Sequence, residues 1–219
     1  YRVDLRLRPE GNAGPLARSL NACLLYYEVR GELWERQMLI KARTVAGDPE
    51  FGAQFLGRLV PFVYPRTLLR SPAESIRRIK ARIEATIRDE ENVKLGPGGI
   101  RDIEFIVQAL QLLNGGKAPG VRSNNTLCAI DLLAEADLIT AAEAGTLREA
   151  YVFLRTVEHR LQMDMNVQTH SLPRLEDEQR LLARRLGKRT AADLMQEYRR
   201  HTFGVGTVFD QVLSLPVSS

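Results

Sequence analysis

The sequence predicts a mainly α-helical chain that opens on one strand, and three observations carry that expectation. Apolar residues recur at helical spacing from about residue 19 to residue 213, cap residues punctuate them, and only residues 3–8 alternate with period two. With 219 residues and 44% apolar content, the chain can bury a proper core without staples. Its 31 Lys and Arg against 27 Asp and Glu give a net charge of +4, too mild an excess for a dedicated nucleic-acid binder. No apolar run reaches membrane-span length, and Cys23 and Cys128, each in an apolar helical pattern, read as buried free thiols of a reducing, cytoplasmic compartment.

In the opening segment Val3, Leu5 and Leu7 alternate with Arg2, Asp4, Arg6 and Arg8 until Pro9 ends the element. Asp4, Arg6 and Arg8 therefore share one face. A carboxylate held beside guanidinium groups suits a place where a divalent metal meets phosphate oxygens, and it equally suits a ladder of ion pairs on an exposed strand. A chain that opens inside a strand without Met reads as an excised piece of something longer.

Helical grammar follows. Ser19 caps a helix that Gly31 closes, and a second helix spans about 32–45, with Trp34, Met38 and Leu39 as its core stripe. Its Glu35, Arg36, Lys41 and Arg43 line a cleft or a solvated face. Asp48-Pro49 opens a helix to about Phe62. Ser71-Pro72-Ala73-Glu74 opens another through Ile76, Ile79, Ile83 and Ile87, whose basic run Arg77, Arg78, Lys80, Arg82 and Arg88 reads as a solvated face. This is the expected domain boundary.

Next comes Gly96-Pro97-Gly98-Gly99, a Gly-rich turn before a helix, where Lys94 and Arg101 add charge to a plausible anion site. The turn matches neither the P-loop nor the dinucleotide fingerprint, and it follows a helix where both need a strand. The helix from Ile100 to Leu113 is apolar around much of its circumference and is expected at the centre of a bundle, with Asp102 and Glu104 in its first turns. Asn124 or Asn125, Thr140 with Glu143, and Thr190 with Asp193 open later helices, and a short one runs from about Asp177 to Gly187. His159, His170 and His201 are isolated in sequence from any ligand partner at metal spacing, and the tail from Pro216 is expected to fray.

Several long motifs in order then point to a family. Tyr1-Arg-Val-Asp-Leu-Arg-Leu-Arg-Pro9, Tyr26-Tyr27, Trp34-Glu-Arg-Gln37, Leu39-Ile-Lys-Ala-Arg43, Gly47-Asp48 and Lys94-Leu-Gly-Pro-Gly-Gly-Ile-Arg-Asp-Ile-Glu-Phe-Ile-Val-Gln108 together resemble the bifunctional glutamine synthetase adenylyltransferase/adenylyl-removing enzymes. The resemblance implies the C-terminal part of a polymerase-beta-like α/β nucleotidyltransferase domain over residues 1–70 and a helical bundle domain over 71–219. In that family one half attaches AMP from ATP to a tyrosine of glutamine synthetase, and the other removes it by phosphorolysis to ADP. The Lys94–Glu104 motif and Gln168–Pro173 look more like the removing half.

The resemblance further implies that Asp4 is the third carboxylate of a Mg2+ site, its two companions lying upstream, so the chain alone is expected to be inactive. Arg6, Arg8, Arg36, Lys41 and Arg43 become candidates for the nucleotide phosphates, with Lys94, Arg101, Asp102 and Glu104 approaching the cleft from the helical domain. Implied partners are glutamine synthetase, the PII signal protein and glutamine as effector, with no nucleic acid and no membrane. The alternatives are the attaching half, or a non-catalytic module that docks glutamine synthetase or PII.

Overall fold

A computed structural model describes residues 4–67, 71–86, 91–165 and 169–214. Among them the chain is mainly helical: α1 (Leu20–Arg30), α2 (Leu33–Ile40), α3 (Pro49–Val63), α4 (Pro72–Thr86), α5 (Ile100–Asn114), α6 (Thr126–Glu135), α7 (Ala141–Met165), α8 (Glu176–Arg185) and α9 (Ala191–Ser214). Local chemistry sets most of the starts. Ser19 Oγ accepts from Ala22 N, Asp48 Oδ1 from Glu50 N at 2.8 Å, and Asn125 Oδ1 from Cys128 N, each satisfying a donor that a helix start leaves open. Thr140 with Glu143 and Thr190 with Asp193 exchange reciprocal capping bonds.

The central helix is α5, packed against α4, α6, α7 and α9. Its Ile100, Ile103 and Ile106 are fully buried, with Ile76 of α4, Ile130 and Leu133 of α6, Leu154 of α7 and Leu194 of α9 in the same cluster. A smaller cluster joins Tyr27, Ile40, Leu59 and Val63 of α1–α3, and Leu112 near the far end of α5 completes it. One helix thus takes part in both cores.

Over its described residues, 4–8, the expected opening strand is not formed. Residues 4–6 are irregular and 7–8 bend, while Leu5 and Leu7 stand 53% and 60% exposed. The period-two pattern needs a neighbouring strand to bury one face, and the described residues offer no such partner; their one β-bridge pairs Asn92 with Ser171. Local polar bonds hold the segment instead, from Arg6 to Asp4 and from the Arg8 guanidinium to Gly14 O. The expected residues 1–3, Ile87, Arg88, Gln168 and the tail lie outside the described residues.

Other expectations also need correction. Helix α2 stops at Ile40, where the Lys41 and Ala42 amides turn back to Met38 O and Leu39 O. It buries Glu35 and Gln37 and leaves Trp34 44% exposed, because the Glu35 carboxylate accepts the Glu32 N–H at 2.8 Å and so faces inward at the helix start. Cys128 is exposed and Cys23 half-buried, both as free thiols. Lys80 is no solvated residue of α4: its ammonium pairs with Asp102 and Glu84 and lies 4.3 Å from the Phe209 ring centroid. His201 is buried and stacked on Phe153 with ring centroids 4.8 Å apart, and His170 meets Glu158; His159 is exposed, as read.

Candidate functional site: a polar cleft between α2, α5, α6 and α7

Lys41 and Arg43 follow α2, Glu104 and Gln108 sit one turn apart on α5, Asn125 and Thr126 begin α6, and Tyr151 and Arg155 sit one turn apart on α7. Together they line a cleft of about 510 Å³. The helical spacing of four puts each pair on one face. Lys41 Nζ donates to Thr126 Oγ1 at 2.7 Å and to Asn124 O at 3.2 Å, bridging the end of α2 to the start of α6. Burial holds its pKa below that of an ordinary lysine, with Glu104 acting in the opposite sense. Gln108, only 9% exposed, lines the wall of the same cavity. A partly desolvated ammonium, a side-chain amide and the positive end of the α6 dipole in one cavity form an environment for an oxyanion.

Arg155 is the third cation. Burial works against its charge, but bonds to Glu158 and Tyr151, with Glu104 nearby, raise its pKa above the ordinary arginine value. Its Nη1 donates to Glu158 Oε2 at 2.7 Å, its Nε to Tyr151 Oη at 3.3 Å, and its Nη2 lies 3.6 Å from Glu104 Oε1. The buried Glu158 carboxylate also faces Lys94 Nζ at 3.7 Å and His170 Nδ1 at 3.0 Å. Lys94 therefore reaches the cleft only through Glu158 and Arg155.

The Gly-rich turn has no free donors for an anion. The amides of Lys94 and Leu95 go to Asn92 Oδ1, Gly96 to Asn92 O, Gly98 to Asp102 Oδ2, and Gly99 to Gly96 O. Those of Ile100, Arg101 and Asp102 go to Val93, Lys94 and Gly99 carbonyls. Asp102 lies outside the cleft with Lys80, its pKa raised by burial against the opposing pull of that lysine. Arg101 rests near the Phe105 ring.

Of the cations predicted from sequence, Lys41 and Arg43 line the cleft; of the carboxylates, Glu104 does. Arg36 does not. It donates to Phe62 O, lies 4.3 Å from the Phe62 ring centroid, and lines a separate groove of about 770 Å³ with Arg30, Arg78, Arg82 and Trp34. Asp4 is tied to Arg6, whose Nη2 stands 2.6 Å from Oδ2, and Arg8 is tied to its own loop. Among the described residues no three His, Cys, Asp or Glu side chains gather to hold a metal ion, so these residues do not by themselves fit Mg2+. Sequence reasoning missed Gln108, Thr126, Tyr151, Arg155 and Glu158. The one available signal was Tyr151, Arg155 and Glu158 at i, i+4 and i+7 along a single face.

Comparison with known proteins now adds identity. Residues 69–213 match the family profile described as GlnD PII-uridylyltransferase, and residues 1–58 match that described as glutamate-ammonia ligase adenylyltransferase. A bifunctional glutamine synthetase adenylyltransferase/adenylyl-removing enzyme of Nitrosococcus oceani is 43% identical over 222 residues, covering 99% of this chain and 23% of that protein. Proteins of the same name from Rhizobium meliloti and Streptomyces coelicolor are 48% identical over 193 residues and 38% over 220, covering 85% and 98% of this chain but 20% and 22% of their own lengths. The chain thus spans about a fifth of the curated relatives it matches, and it belongs to the bifunctional glutamine synthetase adenylyltransferase/adenylyl-removing enzyme family.

Proposed function

We propose that this chain is a segment of an enzyme that reversibly adenylylates a tyrosine of glutamine synthetase, and that it belongs to the half that removes AMP by phosphorolysis to ADP. In this reading residues 1–70 are the C-terminal part of a polymerase-beta-like nucleotidyltransferase domain and 71–219 its helical domain. Asp4 is a metal ligand of the intact enzyme, completed by carboxylates beyond this chain. The enzyme works in the cytoplasm under control of PII and glutamine.

One observation carries the placement of the chemistry: Lys41 and Arg43 meet Glu104, Gln108 and Arg155 in a single cleft. Lys41, poorly solvated, gives a strong contact to a phosphate oxygen, and Arg155 presents a planar fork suited to two such oxygens. Gln108 supplies a neutral amide. Held together, phosphate and the adenylyl phosphorus would be brought into reacting geometry with their mutual repulsion offset. The form of the Lys94–Glu104 motif supports the removing direction.

The test uses the full-length protein containing this chain, with Mg2+ and either adenylylated glutamine synthetase plus phosphate or unmodified synthetase plus ATP. Phosphate-dependent ADP release is expected, falling about 100-fold in Lys41→Ala. AMP attachment from ATP instead reverses the half assignment. Full activity of Lys41→Ala removes the cleft from the chemistry.

A further inference from the structure

We infer that Glu158 is a positioning residue for this cleft, fixing the Arg155 guanidinium in place and coupling it to the Gly-rich turn. The inference rests on the reading of the cleft as a phosphate site. Glu158 is 2% exposed, a costly place for a carboxylate. Its two oxygens are used unequally. Oε2 accepts a well-formed bond from Arg155 Nη1 at 2.7 Å, whereas Oε1 makes no hydrogen bond of good geometry although His170 and Lys94 stand at ion-pair distance. A carboxylate kept only to stabilise the core would be expected to satisfy both oxygens. Glu158 instead directs its one strong bond to the residue that lines the cavity.

The anchoring is geometric as well as electrostatic. Arg155 is held from three sides, by Glu158, Tyr151 and Glu104, so its fork has one orientation rather than many. Behind Glu158, Lys94 belongs to the Gly-rich turn and His170 to the segment whose Ser171 bridges Asn92. Two loops distant in sequence therefore converge on the carboxylate that sets Arg155. Supporting groups of this kind behind a binding residue are worth about 10- to 100-fold in affinity or activity elsewhere.

Two roles for Glu158 predict opposite signs. A carboxylate that merely neutralises Arg155 weakens anion binding, so Glu158→Gln would tighten it. A positioning carboxylate strengthens binding despite its charge. The experiment is calorimetric titration of the 219-residue chain with inorganic pyrophosphate at fixed ionic strength, with circular dichroism to verify folding. We expect Glu158→Gln to weaken binding about tenfold. Arg155→Lys, which keeps the charge and loses the fork, should weaken it comparably, and the double variant should lose little more. Equal or tighter binding by Glu158→Gln overturns the positioning role. If Glu158→Gln does not fold, wild-type affinity in Arg155→Lys overturns it. Absence of binding by the wild-type chain overturns the cleft reading, and the role built on it, instead.

Discussion

His201 shows how far a single side chain's surroundings depart from what its sequence neighbours suggest. Buried, stacked on Phe153, with Arg200 Nη2 3.1 Å from its Nε2, it is held below the ordinary histidine pKa by burial first and then by Arg200. Glu197 and Glu149 pull the other way, and Lys188 adds to the lowering. The neutral ring is thus favoured in the folded state. The stability it contributes is full above about pH 6.5 and is lost as pH falls from there toward the lowered folded value. The unfolding midpoint should therefore drop between pH 7 and pH 5, with a shallower slope in His201→Gln; an unchanged slope in that variant would count against the assignment. The same scale explains what sequence reading missed. Arg155 and Glu158 look like an ordinary surface pair on a long helix, and only the arrival of Lys94 and His170 from elsewhere turns Glu158 into a buried node.

At the scale of the element, the helices were legible because their signals are local. Ser19, Asp48, Asn125, Thr140 with Glu143 and Thr190 with Asp193 cap where the sequence places them, since a cap needs only a side-chain oxygen and an open N–H within three residues. The opening strand was misread because alternation specifies a face and not a partner. The Gly-rich turn was legible as a turn but not in purpose, since its use lies in packing. Gly98 has φ +68°, and a Cβ there would meet Thr202 O of α9 at 1.9 Å. Gly98→Ala should cost about 3 kcal/mol, read as a lowered denaturant midpoint. Gly57, inside α3 with open space around it, provides the contrast: Gly57→Ala should gain about 0.5 to 1 kcal/mol by helix propensity alone. Equal effects at the two sites would refute the packing role of the turn.

For the whole molecule, large apolar side chains that remain well exposed concentrate toward the beginning. Among the described residues Leu5, Leu7, Leu16, Leu25, Val29, Trp34, Val45 and Phe51 stand out, against five such side chains in all the rest. The bundle from α4 to α9 covers its apolar surface far better than the segment up to α3 does. On the proposed reading of Asp4 as one ligand of a site completed by carboxylates beyond this chain, we expect the isolated 219-residue chain to bind anions but to catalyse neither AMP attachment nor removal. Turnover above background by the purified chain, abolished by Lys41→Ala, would refute this. Family membership was legible from motif order, whereas the cleft was legible only in Lys41, Arg43 and Glu104, because its walls come from residues more than a hundred positions apart.

The double membership of α5 has a mechanical consequence. Glu104 and Gln108 sit on the same stiff rod that seats Leu112 in the smaller core and begins at the turn wedged against Thr202. A rod of 15 residues transmits displacement along its axis with little loss. A push at the α9 end would thus change the width of the cleft and the seating of α1–α3 in one stroke, with no hinge between them.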